Sequence, residues 1–240
     1  MMANAIEIRN LHFSYPDGKQ VLRGVSLDIP QGESVGIIGA NGAGKTTLLL
    51  HLNGILQGDG EITILGQKMN HHNLKALRVR VGIVYQDPDD QLFSSTVFDD
   101  VSFGPLNMNL ADEDVIQRTH EALAQVGMSG FEQRLPHHLS LGEKKSISIS
   151  TVLSMTPEIM VLDEPTSNLD FRQRKNLIAV LKRTQVTKII ASHDLPMIME
   201  LCERVILMSK GAVVHSGRTF DVLRNATLME ANGLESVASV

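Results

Sequence analysis

The stretch Gly39-Ala40-Asn41-Gly42-Ala43-Gly44-Lys45-Thr46 constrains this chain more than any other part of it. It follows the apolar run Ser34-Val35-Gly36-Ile37-Ile38, which reads as a strand buried on both faces. It precedes Lys45–Leu56, where Leu48, Leu49, Leu52 and Leu56 fall on one helical face. A strand, a glycine-rich loop closing in Gly-Lys-Thr and a helix form the P-loop pattern. Glycines are needed where backbone N–H groups must curl around phosphate oxygens with no Cβ in the way. The helix beginning at Lys45 would aim its positive dipole end at the same phosphates. Lys45 would contact the β- and γ-phosphates, and Thr46 would place its hydroxyl on Mg2+.

The flanking sequence supplies the frame. Ile6-Glu7-Ile8-Arg9-Asn10-Leu11-His12-Phe13 alternates apolar and polar residues, and the turn signal Pro16-Asp17-Gly18 leads to a second strand near Val21–Ile29. Strand-like runs recur at Val81–Tyr85, Ile159–Leu162, Lys188–Ala191 and Val205–Met208, with helical stretches between the last three. Strands alternating with helices imply a parallel sheet covered on both faces. From about Gln86 to Thr156 the chain reads mostly helical and polar, with Asp112–Val126 its clearest helix, as an inserted helical subdomain would. The expected fold is α/β: a P-loop NTPase core with a mainly parallel sheet, an N-terminal antiparallel β-subdomain and that insertion. One domain spans residues 1–240, closing in a tail from about residue 226 that carries no recognisable motif.

Composition narrows the function classes. A formal net charge of −5 argues against the basic stripe that nucleic acid would need, and 4% aromatics without Trp leaves few platforms for stacking bases. Cys202 is the only cysteine, which excludes an internal disulfide or a cysteine zinc cluster and fits a reducing compartment. No apolar run reaches the ~20 residues that span a bilayer, and the first residues lack a secretory pattern. A cytosolic chain is expected.

Ile159-Met160-Val161-Leu162-Asp163-Glu164 is an apolar strand ending in two carboxylates. At the carboxyl end of a parallel strand both would lie beside the P-loop. Asp163 would reach Mg2+ and Glu164 would activate the attacking water. Capping of the following helix is the plainer alternative.

Between these motifs stands Leu139-Ser140-Leu141-Gly142-Glu143, which resembles the signature sequence of ABC ATPases. Gln86 resembles that family's Q-loop glutamine, Ser167-Asn168-Leu169-Asp170 its D-loop, His193 its switch histidine and Tyr15 its adenine-stacking aromatic. The motifs occur in the family's order and cover nearly the whole chain. In isolation Ser140 is a capping serine, His193 a loop histidine and Tyr15 a strand aromatic. The resemblance implies ATP and Mg2+ as ligands. Tyr15, Gly39, Asn41, Gly42, Ala43, Gly44, Lys45, Thr46, Thr47 and Asp170 would hold nucleotide, with Ser140 and Gly142 contributed in trans. Thr46, Gln86 and Asp163 would surround the metal, and Lys45, Gln86, Glu164 and His193 would serve catalysis. It further implies two such chains packed head to tail, as a homodimer or with a related subunit. The commonest signature has Gly at position 141 and Gln at 143. Leu141 and Glu143 are therefore both expected to turn away from nucleotide.

The stretch Val84-Tyr-Gln-Asp-Pro-Asp-Asp-Gln-Leu-Phe93, with Thr96–Asn107 after it, is similar to energy-coupling-factor importers, including cobalt and nickel uptake ATPases. That similarity implies membrane coupling and substrate-binding subunits, a place on the cytoplasmic face of the inner membrane, and cobalt or nickel as cargo, with a vitamin as alternative. Asp87, Asp89 and Asp90 would suit basic coupling helices. His71-His72 and His137-His138 are poor chelates, because adjacent residues share neither a helix face nor a strand face. A DNA-maintenance ABC ATPase would need coiled coils or basic stripes, and a small P-loop kinase or GTPase would leave the signature-like motif unexplained. The Gln86–Asn107 stretch also argues against an exporter ATPase.

Overall fold

The computed structural model describes residues 3–237. In chain order its strands are β1 (Asn4–Ser14), β2 (Gln20–Pro30), β3 (Ser34–Ile38), β4 (Asp59–Ile64), β5 (Gln67–Lys68), β6 (Val81–Val84), β7 (Ile159–Asp163), β8 (Thr187–Ala191), β9 (Arg204–Ser209) and β10 (Ala212–Arg218). The helices are α1 (Lys45–Leu52), α2 (Leu74–Arg80), α3 (Val97–Asn107), α4 (Asp112–Gln125), α5 (Leu141–Leu153), α6 (Phe171–Arg183), α7 (Leu195–Leu201), α8 (Thr219–Leu223) and α9 (Ala226–Ala231).

Two sheets result. An antiparallel sheet has the order β2-β1-β4-β5, and a six-stranded sheet has the order β10-β9-β3-β8-β7-β6. The second is parallel except where β10 returns against β9. Every residue of β3, β7 and β8 is buried, as continuous apolar strands with both faces covered require. The period of two divides them between layers. Val35, Ile37, Ile159, Val161 and Ile189 join the antiparallel sheet and α1 in one cluster. Ile38, Met160, Leu162 and Ile190 join α5, α6 and α7 in the other. On α1, Leu48, Leu49 and Leu52 are at most 1% exposed. Full burial of each contributes roughly 1.5–3 kcal/mol, so the helix under the P-loop is firmly seated.

The structure departs from the sequence reading in three places. Helix α1 ends at Leu52 rather than Leu56, because Gly54 takes φ +68° and Ile55 and Leu56 both direct their N–H groups to the Leu50 carbonyl. The strands β4, β5 and β10 and the short helix α2 have weak sequence signals. β4 opens Asp-Gly-Glu and β10 is largely exposed, so neither alternates cleanly. The chain beyond residue 226 is not a bare tail. Met229 is buried, and Leu234 and Val237 pack on the core while the Val237 N–H donates to the Leu223 carbonyl at 2.9 Å. The last three residues of that expected tail lie outside the described residues.

Because β3, β7 and β8 run parallel, the loops after their carboxyl ends meet at one edge of the sheet. Those loops carry the P-loop, the acidic pair and His193.

Candidate active site

A cavity of about 560 Å3 opens at that edge, lined by Tyr15, Asn41, Gly42, Ala43, Gly44, Lys45, Thr46, Thr47, Gln86, Asp163, Glu164 and His193, with Lys19 and Val21. Residues chosen from five separate parts of the sequence thus face one space. Gly39, Ser140, Gly142 and Asp170 do not line it.

The loop's glycines have specific tasks. Gly44 caps α1 at φ +100°, a conformation that penalises any side chain. A Cβ at Gly39 would strike the Met208 carbonyl of the adjacent strand. Lys45 is only 8% exposed, and its Nζ donates to the carbonyls of Gly39 at 2.8 Å and Ala40 at 3.4 Å. An ammonium has three N–H donors, so one remains for an anion in the cavity. Tyr15 is half-buried, meets Phe13 edge-on at 5.0 Å between centroids, and shares a 3.2 Å hydrogen bond with the Thr47 hydroxyl.

Asp163 ends β7. Burial pushes its carboxyl above the usual range, against a hydrogen bond from Thr46 and the nearby Lys45 and Lys145 charges. Its Oδ1 is buried without a hydrogen-bond partner. A buried carboxylate oxygen lacking a donor, beside the Thr46 hydroxyl and the Gln86 amide, is an oxygen set that fits a hard divalent cation such as Mg2+.

Glu164 sits in the left-handed region at φ +44°. Its N–H donates to the Ala191 carbonyl at 2.8 Å, tying the turn to β8. Its carboxylate accepts from the Ser192 hydroxyl at 2.9 Å and the His193 N–H at 3.1 Å, and it meets His193 Nδ1 at 2.8 Å. A carboxylate fixed from several sides while facing a cavity is suited to taking a proton from water. The His193 loop is anchored one residue later. Asp194 caps α7 and accepts two bonds from Arg174, at 2.6 and 2.7 Å, and one from Thr166.

The signature segment differs from expectation. Glu143 does not turn outward: its Oε2 accepts both the Ser140 N–H and the Ser140 hydroxyl, each at 2.8 Å. Ser140 and Glu143 thus form a reciprocal cap at the start of α5, and the two bonds from Ser140 hold the Glu143 carboxyl below its usual range. Leu141 faces an adjoining cavity of about 680 Å3 that Thr46, Gln86, Lys145 and Asp163 also line. Gly142 is buried against Gln173, where a Cβ would collide. Gln173 in turn closes the cap of α6 with Asp170.

Sequence reasoning passed over several groups that build this site. Ser192 and Arg174 have no motif to mark them, and Asp194 carries only the cap signal of an acid before Leu-Pro. Lys145 has no motif to mark it either, yet it is 4% exposed and its Nζ donates to the Glu164 carbonyl at 2.9 Å and the Ser167 hydroxyl at 2.8 Å. Burial draws its ammonium down to about 8, against the pull of Glu164, Asp87 and Asp163. Two of the three acidic residues after Gln86 are engaged within the chain: Asp87 accepts from the Asp89 N–H, and Asp89 pairs with Lys144 at 2.6 Å.

The family model described as ABC transporter matches residues 22–167. The chain is 47% identical over 234 residues to a putative ABC transporter ATP-binding protein of Streptomyces avermitilis, covering 97% of this chain and 89% of that one. It is also 47% identical over 235 residues to the energy-coupling factor transporter ATP-binding protein EcfA of Methanothermobacter thermautotrophicus, covering 95% of this chain and 76% of that one. Among solved structures, CbiO1 from Clostridium perfringens, described as part of the ABC transporter complex CbiONQ, superposes with a TM-score of 0.84 at 35% identity, covering 95% of this chain and 94% of that one. A dimeric ATP-binding cassette in a post-hydrolysis state with ADP and Pi superposes at 0.81 and 25% identity, over 89% of this chain and 98% of that one.

Proposed function

The chain belongs to the ABC transporter family as an ATP-hydrolysing subunit of energy-coupling-factor type, and on that premise we propose how its residues divide the work. Lys45 and the N–H groups of the Gly39–Thr46 loop bind the phosphates, with Thr47 beside them, and Tyr15 packs against adenine. Thr46, Asp163 and Gln86 would hold Mg2+, which would offset the charge that develops on the phosphate oxygens. Glu164 takes the proton from the attacking water on its carboxylate. Ser192 and the His193 N–H keep that carboxylate in place, and the His193 ring steadies the γ-phosphate.

One observation carries the dimeric form of this reading. The cavity gathers the P-loop, the acidic pair and His193, while the exposed helix start at Ser140 lies outside it. Ser140, Gly142 and Asp170 therefore complete the site of a second chain packed head to tail, either a copy or a related subunit. The dimer acts on the cytoplasmic face of the membrane with an integral coupling subunit and a substrate-binding subunit. The exposed apolar residues Phe93, Phe103 and Leu106, the first two in edge-on contact, are a surface of suitable character for the coupling subunit. Cobalt or nickel is the proposed cargo, supported by the Val84–Asn107 similarity. Among the described residues no helix is long and apolar enough to cross a membrane.

Glu143→Gln tests the composite site. A glutamine keeps the reciprocal cap but removes the negative charge bonded to the serine that meets the partner's γ-phosphate. At about 4 Å in a water-like dielectric that charge is worth about 1 kcal/mol, roughly fivefold in rate. The steady-state ATPase rate of Glu143→Gln is expected to rise about threefold or more, with the KM for ATP within about twofold of wild type. An unchanged rate in a folded variant would place Ser140 away from phosphate.

A further inference from the structure

We propose that Lys145 is a positioning residue for Glu164: from helix α5 its ammonium clamps the left-handed turn that aims the carboxylate. The proposal rests on the reading of Glu164 as the base.

The first ground is where the lysine directs its donors. A buried ammonium is costly to desolvate, and a carboxylate partner is the usual compensation. Lys145 instead donates to two neutral oxygens, the Glu164 carbonyl and the Ser167 hydroxyl. That is a weak arrangement for stability alone, and it is concentrated on the residue whose geometry hydrolysis depends on.

The second is the strain in the turn. Glu164 at φ +44° adopts a conformation that costs a non-glycine residue and persists only where its surroundings impose it. Here the carbonyl of Glu164 receives the Lys145 ammonium, the Ser167 hydroxyl at 2.9 Å and the Ser167 N–H at 3.1 Å. Its N–H is fixed on Ala191 from the other side. The backbone angles of Glu164 decide where its Cβ points, and so whether its carboxylate meets Ser192 and the His193 N–H.

The third is the anchor. Helix α5 is itself fastened to the loop after β6 by Gln91, whose Oε1 accepts from the Tyr85 N–H at 3.1 Å. The Nε2 of Gln91 donates to the Ser148 carbonyl at 2.9 Å and the Thr151 hydroxyl at 2.7 Å. The clamp therefore starts from a seated element, and one side chain links that element to the turn.

The test is ATP hydrolysis by Lys145→Met, Lys145→Arg and Lys145→Met/Glu164→Gln, with ATP binding followed by a fluorescent analogue. Lys145→Met removes the donors at similar volume, and its kcat is expected to fall at least tenfold with KM within twofold. Lys145→Arg restores donors and should recover most of that loss. In the Glu164→Gln background Lys145→Met should cost less than twofold more, read as single-turnover phosphate release, because the lysine acts through Glu164. Should Lys145→Met not fold, Ser167→Ala removes the turn's other side-chain donor and is expected to lower kcat two- to fivefold. A wild-type kcat in Lys145→Met, a rise in KM at constant kcat, or a full additional loss in the Glu164→Gln background would each overturn the clamp. Wild-type turnover in Glu164→Gln alone would instead overturn the base assignment.

Discussion

Glu164→Gln is expected to bind ATP normally and to lose all but about one part in a hundred to one part in ten thousand of its turnover. Positioned general bases contribute about 10²–10⁴-fold. The fold should tolerate the change, because a glutamine Oε1 can still accept from the Ser192 hydroxyl and the His193 N–H that the carboxylate now meets at 2.9 and 3.1 Å. What the amide lacks is the basic oxygen pair that takes a proton from water. Binding should persist because the groups assigned to phosphate, Lys45 and the loop amides, lie on α1 and its preceding loop. A nucleotide-binding assay beside steady-state hydrolysis separates the two effects. Near-normal turnover would remove Glu164 as the base.

Lys45→Met is expected to fail one step earlier, at binding. The ammonium is 8% exposed, and two of its three donors are already held by the Gly39 and Ala40 carbonyls. Methionine fills much the same volume but offers no charge to a phosphate in a poorly solvated pocket. Removing one partner of a buried hydrogen-bonded charge pair costs roughly 2–5 kcal/mol, about 30- to several-thousand-fold in affinity. ATP affinity should fall by that much, and hydrolysis with it. Thermal stability should move little, since the lysine's internal partners are backbone carbonyls of a loop already shaped by its glycines. ATP affinity within about threefold of wild type in Lys45→Met would detach this lysine from phosphate.

The frame of the fold is legible where physical demands fall on consecutive residues. Continuous apolar strands such as Ile159–Leu162 declare two-sided burial, and Gly39–Thr46 declares a loop that side chains would block. Strands β4 and β10 escape because they are short of alternation, and β4 also relies on β1, distant in sequence, for its pairing. The same division runs through the site. The residues that line one cavity, Lys19 and Val21 aside, were marked by short local patterns, whereas Lys145, Arg174 and Ser192 act through partners 19 to 28 residues away. No local pattern encodes such a contact. Glu143 is a different case. Its spacing from Ser140 is that of a reciprocal helix cap, a signal present in the sequence and obscured by reading Glu143 only as a departure from the usual glutamine.

On the proposed reading, hydrolysis needs Ser140 of one chain over the P-loop of another. Steady-state ATPase rate per chain, measured across a wide range of protein concentration for wild type and Ser140→Arg, tests it most directly. Turnover per chain is expected to climb with concentration towards a plateau and to be abolished at every concentration by Ser140→Arg. Turnover that is independent of concentration and untouched by Ser140→Arg would contradict it and assign the whole reaction to a single chain.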